Sequence, residues 1–256
     1  NCAGLQVAPY RWQESHGGVD LEKALTDLKE AKSGDVILLH GCCHNPTGLD
    51  LDIDGWKEVA KLCASKGLIP LIDMAYQGFG AGLDEDAFGL RLIASQVDTV
   101  LVATSCSKNM GLYCERTGAA MVLTSNNKHK LRAGHTLENL ARTNYSMPAD
   151  HGAAVAAMVL ENKLVWETEL DRVRHRVINL RADFAECLEQ RGAPSSLTNV
   201  RLHKGMFSML PLSASQMARL RSEHGIYGTE TGRINVAGLR TSDIELVADA
   251  ILACSQ

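Results

Sequence analysis

The sequence predicts an α/β fold in which a mostly parallel sheet is followed by a small C-terminal α/β domain. Short apolar runs alternate with amphipathic helical segments in the first half of the chain, and this order is typical of βαβ units. Polar and ionisable residues follow each apolar run, where a strand would end. Because ligands of open α/β sheets bind beyond the carboxyl ends of the strands, the pattern also predicts a functional site at that edge.

Five segments form the predicted alternation in the first half. They are strand 35–40, helix 54–65, strand 68–72, helix 85–96 and strand 98–104. Gly67 is expected to end the first helix, as glycine often does, while Pro70 argues against a regular central strand. The connections predict right-handed crossovers and a parallel sheet that is covered on both faces.

The second half predicts a long helix and then a small domain. The helix runs from Glu161 to Arg191, and its charged run Glu167–Arg176 is interpreted as a solvated face. The small domain is expected to contain strands near 205–210 and 233–237 and helices at 213–224 and 241–254. We therefore predict a cofactor-binding large domain over 1–160, a connecting helix over 161–192 and a small domain over 193–256.

Composition favours an enzyme that acts on a small molecule. The chain has 256 residues, 26 basic and 30 acidic, with a net charge of −4, so no nucleic acid or anionic membrane is expected as a partner. No apolar stretch approaches the roughly 20 residues that span a bilayer. Eight cysteines without CxxC spacing predict reduced thiols, Cys2 included, and a cytoplasmic location.

Lys108 is the central candidate, because it directly follows the third predicted strand. Ser105 and Ser107 precede it, and Arg116 follows eight residues later. A lysine in this setting can hold a phosphorylated aldehyde covalently, and pyridoxal 5'-phosphate is the obvious candidate. The two serines and the arginine would then bind its phosphate, since a guanidinium suits bidentate phosphate contacts.

The other strand ends supply the remaining groups that this cofactor needs. Asp73 would face the pyridine nitrogen, while Tyr76 and Asn45 would donate to the ring oxygen. Lys108 would act a second time as general base, once the substrate amine had displaced it.

Two other interpretations of this region are weaker. A zinc site at His40, His44 and the Cys42–Cys43 pair is disfavoured, because the ligands are crowded and no second cluster follows at a useful spacing, so no metal is expected. Gly78–Gly82 lacks the placement and the downstream acidic residue of a dinucleotide-binding loop and is interpreted as a flexible turn.

Five motifs occur in order at His40–Gly48, Asp73–Phe79, Ser105–Asn109, Glu115–Gly118 and Gly232–Gly238. Together they resemble the aspartate and aromatic amino-acid aminotransferases, and the resemblance runs from residue 1 to residue 256. It implies the pyridoxal-phosphate-dependent transferase fold of type I, with an incomplete large domain. It also implies a cis Asn45–Pro46 bond, with Lys108 as the Schiff-base lysine and the cofactor ligands as assigned above.

The resemblance further implies the substrate contacts. Arg233 corresponds to the arginine that binds the α-carboxylate, and Phe207 lines the substrate side together with Asn45. Arg142 corresponds to the residue that reaches across a homodimer to the distal carboxylate of aspartate or glutamate. The active site would therefore be shared between two subunits.

The chain also departs from the family pattern. Ala149 stands where the family often has a second proline, and Thr229–Thr231 before Gly232 is unusual. Family members have well over a hundred further residues before the position of Asn1, including a phosphate-binding helix N-terminus, so weaker cofactor retention and an exposed sheet edge are expected.

The leading hypothesis is transamination of aspartate, aromatic amino acids or both, with 2-oxoglutarate as the other partner. The substrate pair would be an amino acid and a 2-oxo acid. A non-catalytic remnant of such an enzyme is the alternative from a different class. Another reaction of the same fold, such as decarboxylation, also stays open.

Overall fold

The computed structural model describes residues 4–13 and 17–255, so Cys2 lies outside the described residues. A four-stranded sheet is at its centre, in the order β1-β2-β3-β4. The strands are β1 (Val36–His40), β2 (Ile69–Met74), β3 (Thr99–Ser105) and β4 (Gly118–Thr124). The first three are parallel, and β4 is antiparallel to β3. The three predicted strands are confirmed, whereas β4 was not predicted.

The register aligns the ends of the parallel strands. His40 of β1 pairs with Asp73 of β2, which pairs with Ala103 of β3. The segments that follow β1, β2 and β3 therefore leave the sheet at one edge. Pro70 is tolerated in the central strand because pairing between β2 and β3 begins only at Leu71, so no bond to β3 requires its missing N–H.

Three helices pack against the sheet: α1 (Leu21–Leu28), α2 (Ile53–Lys66) and α3 (Phe88–Gln96). The Asp52 carboxylate accepts from Gly55 N–H at the start of α2, and Gly67 ends it in the left-handed conformation, with φ 65°. Gly67 is thus confirmed as the end of the helix. The side chains of all three helices join one apolar core with the sheet, around Trp56, Ile72 and Val100.

The prediction that helices cover both faces of the sheet is wrong for the described residues. Val36 and Leu38 on the face opposite α2 are 51% and 49% exposed, whereas Ile37 and Leu39 are buried. The strand order explains this result, because successive crossovers of one hand between neighbouring strands place their helices on the same face.

The second half contains six further helices and two short strands. They are α4 (Asn127–Tyr145), α5 (Asp150–Glu161), α6 (Lys163–Gln190), α7 (Ser195–Thr198), β5 (Phe207–Met209), α8 (Ala214–His224), β6 (Arg233–Asn235) and α9 (Ile244–Ser255). β5 and β6 pair antiparallel, and 3₁₀ turns stand at 199–202, 236–238 and 241–243. The long helix and the predicted C-terminal elements are confirmed, while α1, α4, α5 and α7 were not predicted.

The charged run on α6 is not entirely a solvated face. Arg174 is buried and donates to the carbonyl of Gly78 at 3.1 Å, with Asp171 at 2.7 Å. Arg176 is exposed but donates to the carbonyls of Ala237 and Leu239. Helical spacing alone could not show which residues of the run would meet another segment.

Two further apolar cores lie outside the sheet. One joins the C-terminal half of α6 to α8, α9 and the β5–β6 pair, with Phe184 and Leu188 fully buried. A smaller core lies beside the ends of β1 and β2 and contains Tyr76, Phe79 and Leu170, with Trp166 and Phe207 packed against it. Among the described residues, no helix is long and apolar enough to cross a membrane.

Candidate active site

The loop after β1 presents Asn45 at the sheet edge. The Asn45–Pro46 bond is cis, which confirms the bond geometry that the resemblance implied. The Asp50 carboxylate accepts from the backbone N–H groups of Cys43 and His44 at 2.8 and 2.9 Å, and burial raises the pKa of this carboxyl group. Two bonds to one buried carboxylate hold the loop in place.

Five predicted site residues, Asn45 among them, lie together at this edge. The amide nitrogen of Asn45 lies 3.4 Å from the hydroxyl of Tyr76, and its amide oxygen accepts from Arg233 at 3.2 Å. The amine of Lys108 lies 4.5 Å from the centre of the Tyr76 ring, and the Arg233 guanidinium lies 4.9 Å from that of Phe207. The sheet edge and the β5–β6 pair thus bring together an amine, a phenol, an amide and a guanidinium.

Asp73 lies at the end of β2 beside this group. One carboxylate oxygen accepts from Ala75 N–H at 2.9 Å, and the other has no hydrogen bond with a described residue. Burial, and then the charge of Asp73, raise the pKa of Tyr76. Burial lowers the pKa of His40, and Asp73 partly opposes that effect. The Nδ1 atom of His40 accepts from Asn45 N–H at 3.0 Å, so the neutral ring carries its proton on Nε2.

The Lys108 turn joins β3 to the segment before β4. The Ser105 hydroxyl accepts from Ser107 N–H at 3.1 Å, while the hydroxyl of the buried Ser107 has no hydrogen bond with a described residue. Gly111 N–H donates to the Lys108 carbonyl at 3.2 Å, which closes the turn.

Arg116 lies just before β4, and its backbone is in the left-handed region, with φ 52°. Its guanidinium donates to the carbonyl of Tyr113 at 3.0 Å. The structure therefore places Ser105, Ser107 and Arg116 on one segment beyond β3, without a described contact between the arginine and the serines.

Arg142 is not brought to the other site residues. It lies in the last turn of α4 and is exposed, and its guanidinium has no hydrogen bond or ion pair with any residue the structure describes. No residue of α4 is buried.

The Gly78–Gly82 segment forms the predicted turn, but it is well anchored. The buried Asp86 carboxylate accepts from the N–H groups of Gly78, Gly80 and Ala81 at 2.8 to 2.9 Å. A Cβ atom at Gly80 would lie 2.4 Å from an Asp86 oxygen, so close packing here requires glycine.

Metal-ligating atoms also converge in this region. Ligand atoms of Cys42, Cys43 and Asp86, all buried, lie within 4.8 Å of one another. A hydrogen bond with Cys42 and burial raise the pKa of the Cys43 thiol well above its usual range, which disfavours the thiolate that a metal requires. The neighbouring His44 stacks on Trp12 at 4.7 Å, and burial and then His40 lower its pKa to about 3.

Several supporting residues were not found from the sequence. Asp50, Asp86, Arg174 and Trp166 hold the loops of the site, and Arg181 holds the β5 segment. Arg174, Trp166 and Arg181 act on backbone groups of distant segments, whereas Asp50 and Asp86 act on loops next to them in the sequence. A bond to a backbone group requires no particular residue type in its partner, so no motif marks these contacts. An arginine within an apolar helical stripe, as at Arg181, was the one available signal.

The residues gathered at this edge suit one kind of ligand. The Lys108 amine can bond an aldehyde, and the open oxygen of Asp73 can accept from a protonated ring nitrogen. Tyr76 and Asn45 can donate to a ring oxygen, and Arg233 can bind a carboxylate. A cavity of about 490 Å³, lined in part by Asp98, Thr124 and Lys130, lies at the opposite end of β3 and offers no such set.

Comparison with known proteins gives a consistent result. The family "Aminotransferase class I and II" matches residues 1–251. A tyrosine aminotransferase of Rhizobium meliloti (strain 1021) is 47% identical over 96% of this chain and 64% of its own length. An aspartate aminotransferase of Escherichia coli (strain K12) is 41% identical over 99% of this chain and 65% of its own length.

A solved structure of the aromatic-amino-acid aminotransferase from Burkholderia pseudomallei, covalently bound to pyridoxal phosphate, has a TM-score of 0.94. It is 38% identical and covers 100% of this chain and 65% of its own. The chain thus spans a little under two thirds of the length of these relatives.

Proposed function

Because the chain belongs to the class I and II aminotransferase family, we propose that it binds pyridoxal 5'-phosphate at the edge described above and transfers amino groups. The proposed substrates are aspartate, aromatic amino acids or both, with 2-oxoglutarate as the second partner. The observation that carries the proposal is the group formed by Lys108, Tyr76, Asn45 and Arg233. The names of the relatives, which cover both substrate classes, support it.

The residues present fit this cofactor. Lys108 would bond its aldehyde, the free oxygen of Asp73 would accept from its ring nitrogen, and Tyr76 and Asn45 would donate to its ring oxygen. The open hydroxyl of Ser107, with Ser105 and Arg116, would bind the phosphate. When bound, the group supplies a ring that accepts electrons from the substrate carbon.

The chain's own residues would orient the substrate and move its proton. Arg233 would bind the α-carboxylate, and its contact with Asn45 sets that carboxylate beside the ring-oxygen donors. The Phe207 ring centre lies 4.9 Å from the Arg233 guanidinium, and the ring packs edge-on against Tyr76 at 6.2 Å, so it would line the substrate side. Once the substrate amine had displaced it, the Lys108 amine, 4.5 Å from the centre of the Tyr76 ring, would be the general base that takes the proton of the substrate carbon.

We further propose a homodimer in which Arg142 serves the partner's site. Support comes from α4, which has no buried residue, and from exposed apolar side chains on α4 and on the segments that follow it. They are Leu131, Leu140, Tyr145, Met147, Met158, Leu164 and Val165. Exposed large apolar side chains are often covered at a subunit interface, and Arg142, exposed and without a described partner, would be available to a second copy.

The division at 160 and 192 also remains our proposal, with the separate apolar cores around the sheet and around α8 and α9 as its support. The cytoplasmic location stays a prediction from the cysteine pattern.

Replacement of Lys108 tests the function. With pyridoxal phosphate added, the chain is expected to develop a visible absorption band and to convert aspartate or phenylalanine in the presence of 2-oxoglutarate. Lys108→Ala should lose the band and lower kcat at least about a thousandfold, because both covalent attachment and proton transfer use this amine. Lys61→Ala, an exposed lysine on α2, is the control. A chain without a band or activity would instead support the non-catalytic alternative.

A further inference from the structure

Trp166 joins the long helix α6 to the Lys108 turn. Its indole N–H donates to the carbonyl of Asn109 at 2.6 Å. Asn109 directly follows Lys108, so the bond is made at the next residue after the amine-bearing one. No role of Trp166 follows from its place in the sequence, where it starts a charged, amphipathic helix.

The indole itself is held in place. It packs against the small core that contains Tyr76, Phe79 and Leu170, and Leu170 lies one helical turn further along α6. A tryptophan offers a large rigid apolar body and a single donor. The direction of its N–H is therefore set by the same core that positions the Tyr76 ring.

Other hydrogen bonds of the turn are longer. Gly111 N–H to the Lys108 carbonyl, Leu112 N–H to the Cys106 carbonyl and the Asn109 amide to the Gln77 carbonyl are each 3.2 Å. The Oδ1 atom of Asn109 is buried and has no partner among the described residues. The Trp166 bond is thus the shortest hydrogen bond described for this segment. The Asn109 side chain is held by described residues only through its amide nitrogen.

The same face of α6 is tied to the loop after β2. Arg174, two turns beyond Trp166, donates to the Gly78 carbonyl at 3.1 Å. Leu170 lies so close to Gly78 that a Cβ atom there would be 2.5 Å from its Cδ2 atom. One rigid helix therefore contacts both the loop that follows Tyr76 and the turn that carries Lys108.

We propose that Trp166 is a positioning residue for Lys108: through the Asn109 carbonyl it fixes the turn that holds the amine over the Tyr76 ring. This inference rests on the proposed function only for its catalytic consequence. The structural part, an ordered Lys108 turn, applies to the chain without cofactor.

Amide hydrogen exchange of the cofactor-free chain tests the structural part. In Trp166→Phe, exchange of peptides covering 106–112 is expected to rise about fivefold, as loss of one hydrogen bond predicts. Trp56→Phe, in the core beside the sheet, is the control and should leave these peptides unchanged. If Trp166→Phe does not fold, the same exchange measurement is made with 3-benzothienylalanine at position 166. This residue keeps the ring shape but replaces the N–H with sulfur, so the same rise in exchange is expected.

The catalytic consequence is measured after addition of pyridoxal phosphate. The 166 variants should lower kcat about tenfold with little change in KM, since the substrate contacts at Arg233 are retained. The proposal is overturned if exchange in 106–112 is unchanged, if it rises equally throughout the chain, or if kcat falls no more than in Trp56→Phe. A chain that shows no cofactor band even with Lys108 intact contradicts the proposed function, while the exchange result still decides whether Trp166 fixes the turn.

Discussion

Asn45 shows how much a single side chain can connect. Its amide is placed between Tyr76 and Arg233, and its backbone N–H is bonded to the ring of His40. One residue therefore connects Tyr76, the proposed carboxylate-binding Arg233 and the end of β1. The sequence could assign Asn45 to the site, but not this threefold connection.

His203 is a residue whose burial has a measurable pH dependence. It is 5% exposed, and burial together with the charge of Arg181 lowers its pKa from 6.5 to about 4. The folded state therefore binds the proton less readily than the unfolded state. Its contribution to stability is complete above about pH 6.5 and is lost as the pH falls towards 4.

We expect the free energy of unfolding to fall between about pH 7.5 and pH 5, with roughly 2 kcal/mol of that loss due to His203. Urea unfolding at both pH values should show that share removed in His203→Gln. His129→Gln, on the exposed surface of α4, should keep the wild-type dependence. Equal pH dependence in all three proteins would contradict the assignment.

At the scale of the elements, the sequence predicted where helices end better than which of their side chains are exposed. Gly67 ends α2 as predicted because only glycine takes the left-handed conformation without cost. By contrast, Arg174 of the charged run is buried, because its neighbour is a loop that lies almost a hundred residues away in the chain. The apolar run that forms β4 was available in the sequence, but its antiparallel pairing with β3 was not.

Two glycines give opposite predictions for stability. Gly67→Ala should destabilise the protein by about 1 kcal/mol or more, because alanine is strained in the left-handed conformation. The added Cβ atom would also lie 2.8 Å from the Ser33 hydroxyl oxygen. Gly134→Ala, inside α4 with no atom within 4 Å of the added Cβ, should stabilise it by up to about 1 kcal/mol. Urea midpoints that shift in the same direction in both variants would be inconsistent with these conformations.

At the scale of the whole molecule, the described residues bring together only part of the predicted site. Lys108, Tyr76, Asn45, Phe207 and Arg233 converge within the chain, whereas Arg142, the proposed ligand of the distal carboxylate, is exposed on α4. A second copy of the chain can supply this group only if the proposed dimer forms.

Mixing two inactive variants tests that arrangement. Lys108→Ala and Arg142→Leu should each have little activity with aspartate. Their mixture, after unfolding and joint refolding, should recover up to about one quarter of the wild-type activity, because half of the dimers would hold one intact site of two. The activity would be followed with aspartate and 2-oxoglutarate.

A mixture of Lys108→Ala with Asp73→Asn is the matched control. Both residues belong to the same subunit's part of the site, so no hybrid dimer contains an intact site. Equal recovery in both mixtures, or recovery in neither, would show that the proposed sharing of Arg142 is wrong.

The sequence by itself determined the fold class, the three parallel strands and the order of the motifs at their ends. These features depend on local periodicity and on residue types at fixed spacings, which a chain carries without its partners. The identity of Lys108 as the central candidate also came from this information alone.

Only the tertiary structure decided which groups meet. The packing of Trp166 on the Lys108 turn, the burial of Arg174 and the exposed face of the sheet all depend on segments distant in sequence. Hydrogen bonds to backbone carbonyls need no particular residue type in their partner, so they leave no trace in the sequence. The meeting of site residues from different segments therefore depends on contacts that no motif records.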